Sequence, residues 1–284
     1  MFMFAPIQGG SMVCTMAALV GIALSSAGGV GATAPRCIEL PAQTGDYMYT
    51  FSTSEESKSP STGTVRVHGD RTRIDMGNRH SRDYILLTNN GTRMLSVHPD
   101  RKEVNEISSP SFERIIGTSL RAVSPVVKFN VLNSKISFER VGTGQKLLGY
   151  ATEQIRITER FDVHIVAMGF DGGTERHTVV TDYWVSPGLD LGSNPLLALL
   201  EHATTAMAQT DRDFVAKEAA IRAQALQGTP LRTVVRETSA DRKGVQHSKT
   251  LSIEITSVSK GAQPAELFEI AAGYKTKAGV NISM

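Results

Sequence analysis

Tyr84–His98 reads YILLTNNGTRMLSVH. Two apolar-rich runs, Tyr84 to Thr88 and Thr92 to His98, flank Asn89-Asn90-Gly91. Asn-Gly supplies the positive φ angles that a tight hairpin turn requires. Strands joined this closely must be antiparallel, because a parallel partner needs a long crossover. This stretch sets an antiparallel reading for the chain around it.

The same pattern extends in both directions. Upstream, Tyr47, Tyr49 and Phe51 fall on one face of an extended segment. Glu55 to Thr62 is a polar turn, Thr64 to His68 alternates again, and Gly69-Asp70 precedes a strand over Arg71 to Met76. Downstream, Pro99-Asp100 turns the chain into Lys102 to Ile107. Period-two alternation bounded by Gly, Asp, Asn and Pro marks half-buried antiparallel strands. Phe112, Ile115, Ile116 and Leu120 recur at helical spacing, which predicts a short helix within Ser109 to Val127. Strands are then expected over Lys135 to Val141, Ala151 to Thr158, Asp162 to Met168 and Thr178 to Ser186, with turns at Gly142-Thr143-Gly144 and Gly169 to Gly173.

Leu196, Leu199, Leu200, Ala203 and Met207 form an apolar helical stripe. A second helix, capped by Thr210 or Asp211, runs to about Gln227 and stops at Gly228 and Pro230. Strands over Leu231 to Thr238 and Lys249 to Val258 follow, and Pro264 to Phe268 reads as a last helical turn. About ten strands with helices in two inserts, and no regular βα alternation, predict an α+β fold: one large antiparallel sheet with helices packed on one face.

The chain's start carries a different signal. Met12 to Leu24 is apolar and uncharged, about thirteen residues against the roughly twenty a bilayer span needs. Small residues follow from Ser25 to Ala34, as in a signal-peptide cleavage zone. No Lys or Arg precedes Met12, so an uncleaved anchor or a Gly-rich tail is the rival reading. The expected organisation is a signal peptide and cleavage zone over 1–34, a flexible mature N-terminus over 35–45, one β-rich domain over 46–277 and a tail over 278–284. The expected location is periplasmic or secreted.

Composition narrows the function classes. The 284 residues carry 30 Lys plus Arg against 28 Asp plus Glu, for a net charge of +2. That balance, with no dense basic block and 6% aromatic residues, argues against nucleic acid as a partner. The two cysteines are Cys14 and Cys37. Cleavage of the leader would leave Cys37 alone, so no intramolecular disulfide is expected.

Chemistry-bearing motifs are sparse. None of the seven histidines stands at a spacing that would set two metal ligands on one helical face. His164 and His177 lie on neighbouring predicted strands, and the favoured reading is that they are unrelated. Asp70 with Asp75, and Asp211 with Asp213, are carboxylate pairs that more often solvate an edge or favour a helix dipole. No Gly-rich phosphate cradle opens a helix, and no Ser occupies a nucleophile elbow. The expectation is a non-enzymatic protein without cofactor or metal. Leu196, Leu197, Leu199 and Leu200 are denser than a one-face stripe. They read either as core capping the sheet or, with Met207, as a lid over an apolar ligand-binding cavity.

Several short motifs recur in order: Tyr47-x-Tyr49-x-Phe51-Ser52-Thr53, Gly63-Thr64-Val65-Arg66-Val67-x-Gly69-Asp70-Arg71-x-Arg73-Ile74-Asp75, and Pro99-Asp100-Arg101-Lys102-Glu103. Leu148-Gly149-Tyr150-Ala151-Thr152, Asp182-Tyr183-Trp184-Val185-Ser186-Pro187, Gly228-x-Pro230-Leu231-Arg232 and Pro264 to Tyr274 complete the set. In this order the chain resembles bacterial envelope proteins with a DUF4412-type domain, which are similar to LolA/LolB-like lipoprotein carriers. Ala271-Ala272 departs from that pattern, where such chains often have Pro before Ala-Gly-Tyr. The resemblance implies a sheet curved into a half-open barrel, helices covering its concave face, and a lipid or lipoprotein acyl chain held inside. The alternative partner is another envelope protein, bound by a structural or sensing module.

Overall fold

The computed structural model describes residues 45–56, 59–77, 82–91, 93–107, 127–167, 170–191, 212–240 and 244–278. Among the described residues twelve strands form one sheet: β1 Tyr47–Glu55, β2 Ser61–His68, β3 Arg71–Met76, β4 Tyr84–Thr88, β5 Arg93–His98, β6 Glu103–Ile107, β7 Val127–Thr143, β8 Glu153–Ala167, β9 Phe170–Ser186, β10 Thr229–Ala240, β11 Gln246–Lys260 and β12 Lys275–Ala278. A single described α-helix, α1, spans Arg212–Ala225.

The sheet order is β12-β6-β5-β4-β3-β2-β1-β11-β10-β9-β8-β7, and the sheet is open. Its two halves are meanders. β1 to β6 step outward in one direction, and β7 to β11 step inward from the far edge until β11 pairs with β1. All pairs are antiparallel except β12 with β6.

The expected strands over 47–52, 64–68, 71–76, 84–88, 231–238 and 249–258 fall on observed ones; the described part of the one over 92–98 is β5, and the one expected from Lys102 begins at Glu103. At the 84–98 hairpin, Asn89 and Asn90 take φ of 53° and 52°, and Gly91 N–H donates to the Thr88 carbonyl. Positive φ at both central residues is the tight hairpin geometry; two asparagines supply it, and Gly91 follows at φ 83°.

Two expectations need correction, and one strand is added. The segments Ala151 to Thr158 and Asp162 to Met168 are not two strands; β8 runs through Glu159-Arg160-Phe161 without a break. The polar residues that read as an interruption are paired across the sheet and to α1, so the ladder continues. Of the turn expected over Gly169 to Gly173, the described residues Phe170 to Gly173 are strand. β9 begins at Phe170, and a register shift between Ile165 and Val166 leaves Gly172 as the extra residue; glycine tolerates such a bulge. Finally, β12 was not anticipated. Four residues, Lys275–Ala278, are too short to show alternation, and their partner β6 lies far away in sequence.

The predicted helix ending before Gly228 is α1, and the turn at Pro264 to Phe268 is a 3₁₀ turn over Ala265–Phe268. The leader, Cys14, Cys37, the predicted helix within 109–127, Asp211 and the stripe Leu196, Leu197, Leu199, Leu200 and Met207 lie outside the described residues.

The core falls on both sides of the sheet. One face carries Tyr47, Tyr49, Phe51, Val65, Val67, Ile74, Ile85, Leu87, Leu231, Ile253 and Ile255, all buried together with Leu189 and Leu191. On the opposite face, among the described residues, a buried apolar cluster forms at the β4–β6 end. There Tyr84, Leu86, Leu95, Val97 and Val104 pack against Phe268, with Leu267 and Tyr274 beside them. β4 is thus buried on both faces, which explains why it reads YILL rather than alternating.

Candidate functional site

The most extensive candidate is the first face. Register places its members in rows: Phe51 opposite Ile255, Tyr49 opposite Val65, Val65 opposite Ile74, and Ile74 opposite Ile85. Tyr47 and Tyr49 stack with centroids 6.3 Å apart, and Phe51 meets Tyr49 edge-on at 6.4 Å. The face continues across β8 and β9 through Ile155, Ile157, Tyr183 and Val185. Here α1 lies on it, inserting Phe214, Ile221 and Ala225.

A buried polar group interrupts the face beneath α1. By period two, Ile155, Ile157, Glu159, Phe161 and Val163 of β8 point the same way, and Glu159 is 7% exposed. Its carboxylate accepts from Arg222 Nη2 at 3.0 Å, and Arg222 Nε donates to Glu218 at 2.9 Å. Arg222 also donates to the Tyr183 hydroxyl. One guanidinium therefore serves two carboxylates and a phenol, and it ties the helix to β8 and β9. Burial pushes the Glu159 carboxyl up to about 7; Arg222 works against that rise, and Glu218 adds to it.

Next along β9, His177 shares this face. Nδ1 lies 3.1 Å from Glu237 Oε1 of β10, and the ring stacks on Phe161 at 5.3 Å. Phe161 in turn meets Phe214 of α1 at 6.5 Å. Among the described residues His177 Nε2 is buried without a hydrogen-bond partner, with Glu175 3.7 Å away. A histidine oriented by a carboxylate is the base half of a nucleophilic site; among the described residues no hydroxyl or thiol is hydrogen-bonded to this Nε2.

The remaining sequence candidates resolve simply. His164 pairs with Thr174 and His177 with Phe161 in the ladder, so the two histidines do not meet. Asp75 accepts from Arg66 at 2.6 Å and from Arg73 at 2.8 Å, whereas Asp70 lies 4.0 Å from Arg71. Asp75 is a strand-to-strand ion pair, apart from Asp70. Among the described residues no group of three or more His, Cys, Asp or Glu side chains could hold a metal ion. No described helix is long and apolar enough to cross a membrane. Sequence reading missed Glu159, His177 and Glu237 as a group, although Glu159 carried a signal: a charge at an in-face position between Ile157 and Phe161.

No family model matches the chain, and no curated protein matches it. Solved structures do give matches. Among them is an uncharacterized conserved protein from Thermus thermophilus, 8% identical, covering 83% of this chain and 91% of its own, with a TM-score of 0.36. A likeness at that score carries neither fold nor function across.

Proposed function

We propose that this chain is an exported, non-enzymatic binding or carrier protein that holds an apolar ligand, a lipid or a lipoprotein acyl chain, against the apolar face of its sheet. In this reading the sheet is a half-open, LolA-like barrel, and Leu196, Leu197, Leu199, Leu200 and Met207 belong to the lid. The observation that carries it is the extent of the apolar face. It runs without a break from Ile85 on β4 to Ile253 and Ile255 on β11, in a sheet that does not close. Ligand sites are lined mostly by apolar side chains with a few placed polar groups, the composition this face offers. The Glu159, Arg222 and His177 cluster would supply the polar end.

The test is mass spectrometry of small molecules retained by protein purified from a periplasmic extract, followed by delipidation and thermal shift with fatty acids and lysophospholipids. Co-purifying lipid and an acyl-dependent rise in Tm are expected. Protein that retains no lipid and shows no shift overturns the carrier reading in favour of a module that binds another envelope protein. Intact mass of the exported protein reports leader cleavage in the same experiment.

A further inference from the structure

Among the described residues β7, 17 residues long, is an edge strand of the sheet. A long edge offers unpaired N–H and C=O groups and is a template for pairing with another chain. Leu132 and Val141 on it are each 46% exposed, and Lys135, Ser137 and Glu139 are exposed too. The geometry points to a second copy of this chain as the partner, with the two β7 strands antiparallel about a two-fold axis at Ser137.

The choice of register follows from charge. A two-fold axis perpendicular to the sheet keeps both apolar faces on one side, and because directly opposed residues share a face it must run between two copies of the same residue. Among such registers centred anywhere from Lys135 to Val141, the one on Ser137 sets Lys135 opposite Glu139 of the other copy, twice. Registers centred on Lys135, Glu139 or Arg140 oppose like charges, and those on Ile136, Phe138 or Val141 oppose no charge pair. The Ser137 register also sets Ile136 opposite Phe138, both on the face beneath α1, where Ile136 is buried and Phe138 partly so. Opposite charges and apolar pairs directly across a ladder stabilise it, and like charges oppose it. The charges that would blunt this edge toward strangers thus become complementary toward a second copy. This inference is independent of the ligand-binding reading.

The test is light scattering of the purified chain with three variants. The wild type is expected to run at twice the chain mass, Lys135→Glu at the chain mass, and the double variant Lys135→Glu/Glu139→Lys at twice the mass again. Ser137→Cys should form a disulfide-linked dimer on mild oxidation. Directly opposed Cα atoms in a ladder are about 4.5–5.5 Å apart, inside the roughly 4.4–6.8 Å that a disulfide spans. A monomeric wild type, a dimer that Lys135→Glu leaves intact, or a dimer in which Ser137→Cys does not cross-link overturns the proposal. Circular dichroism checks folding; if Lys135→Glu fails to fold, the cross-link decides alone.

Discussion

At Gly63 the sheet leaves no room for a side chain. A Cβ there would sit 2.3 Å from the Phe51 ring and 2.8 Å from the Asp75 carbonyl, so Phe51 fills the space directly across the ladder. Gly63→Ala is expected to lower stability by about 1–3 kcal/mol through overpacking, read as a drop in the urea midpoint at unchanged slope. Glu159 makes a second residue-scale prediction. Its carboxyl is raised from 4.5 to about 7 in the folded chain, so the folded state holds its proton more tightly than the unfolded one. The stabilisation is full below about 4.5 and is lost as pH rises through about 7. The Glu159 contribution to wild-type stability should therefore decline between those values, and Glu159→Gln should flatten that decline. An unchanged pH profile in the variant would refute the assignment.

Strands β8, β9 and β10 are joined on the outer face by charge rather than by apolar packing. Asp182 on β9 is 1% exposed and accepts from Arg156 of β8 at 2.8 Å and from Arg236 of β10 at 2.5 Å, with Gln154 at 3.3 Å. Burial pushes this carboxyl up, but the hydrogen bonds from Arg236 and Arg156 outweigh it and hold the group below its ordinary value. The sign is opposite to that of Glu159: this stabilisation is present above the ordinary carboxylate range and is lost as pH falls through the depressed folded value. Asp182→Ala leaves two arginines facing each other and should cost about 2 kcal/mol near neutral pH, discounted because both arginines are partly exposed. Hydrogen exchange at the β8–β9 and β9–β10 ladders should quicken; exchange confined to α1 would contradict it.

Across the whole molecule, the C-terminal segment closes what the meander of the first half leaves open. Arg73 lies 3.7 Å over the Tyr84 ring and donates to the Leu267 carbonyl at 3.0 Å. That contact seats Phe268 on the outer face of β4–β6, and Lys275 N–H then donates to the Lys102 carbonyl as β12 joins β6. Phe268→Ala should cost about 3–5 kcal/mol, and amide protection should fall first in β4, β5 and β6. A protection loss spread evenly over β7–β11 would argue against this wrapping.

The features legible in the chain alone were local ones. Alternation at Tyr47-Tyr49-Phe51, the turn at Asn89-Asn90-Gly91 and the stop at Gly228 each follow from periodicity or φ preference over a few residues, and the antiparallel strands followed from them. Glu159-Arg160-Phe161 and Phe170 to Gly173 read as breaks in the sequence because a buried charge and a bulge glycine mimic a turn until their partners are known. Those partners were a matter for long-range packing. Glu159 finds Arg222 at a separation of 63 residues, His177 finds Glu237 at 60, and β12 finds β6 across most of the chain. Such pairings leave no periodic trace, because they are selected by the packing of whole meanders, where an unpaired buried charge costs more than the chain closure that satisfies it.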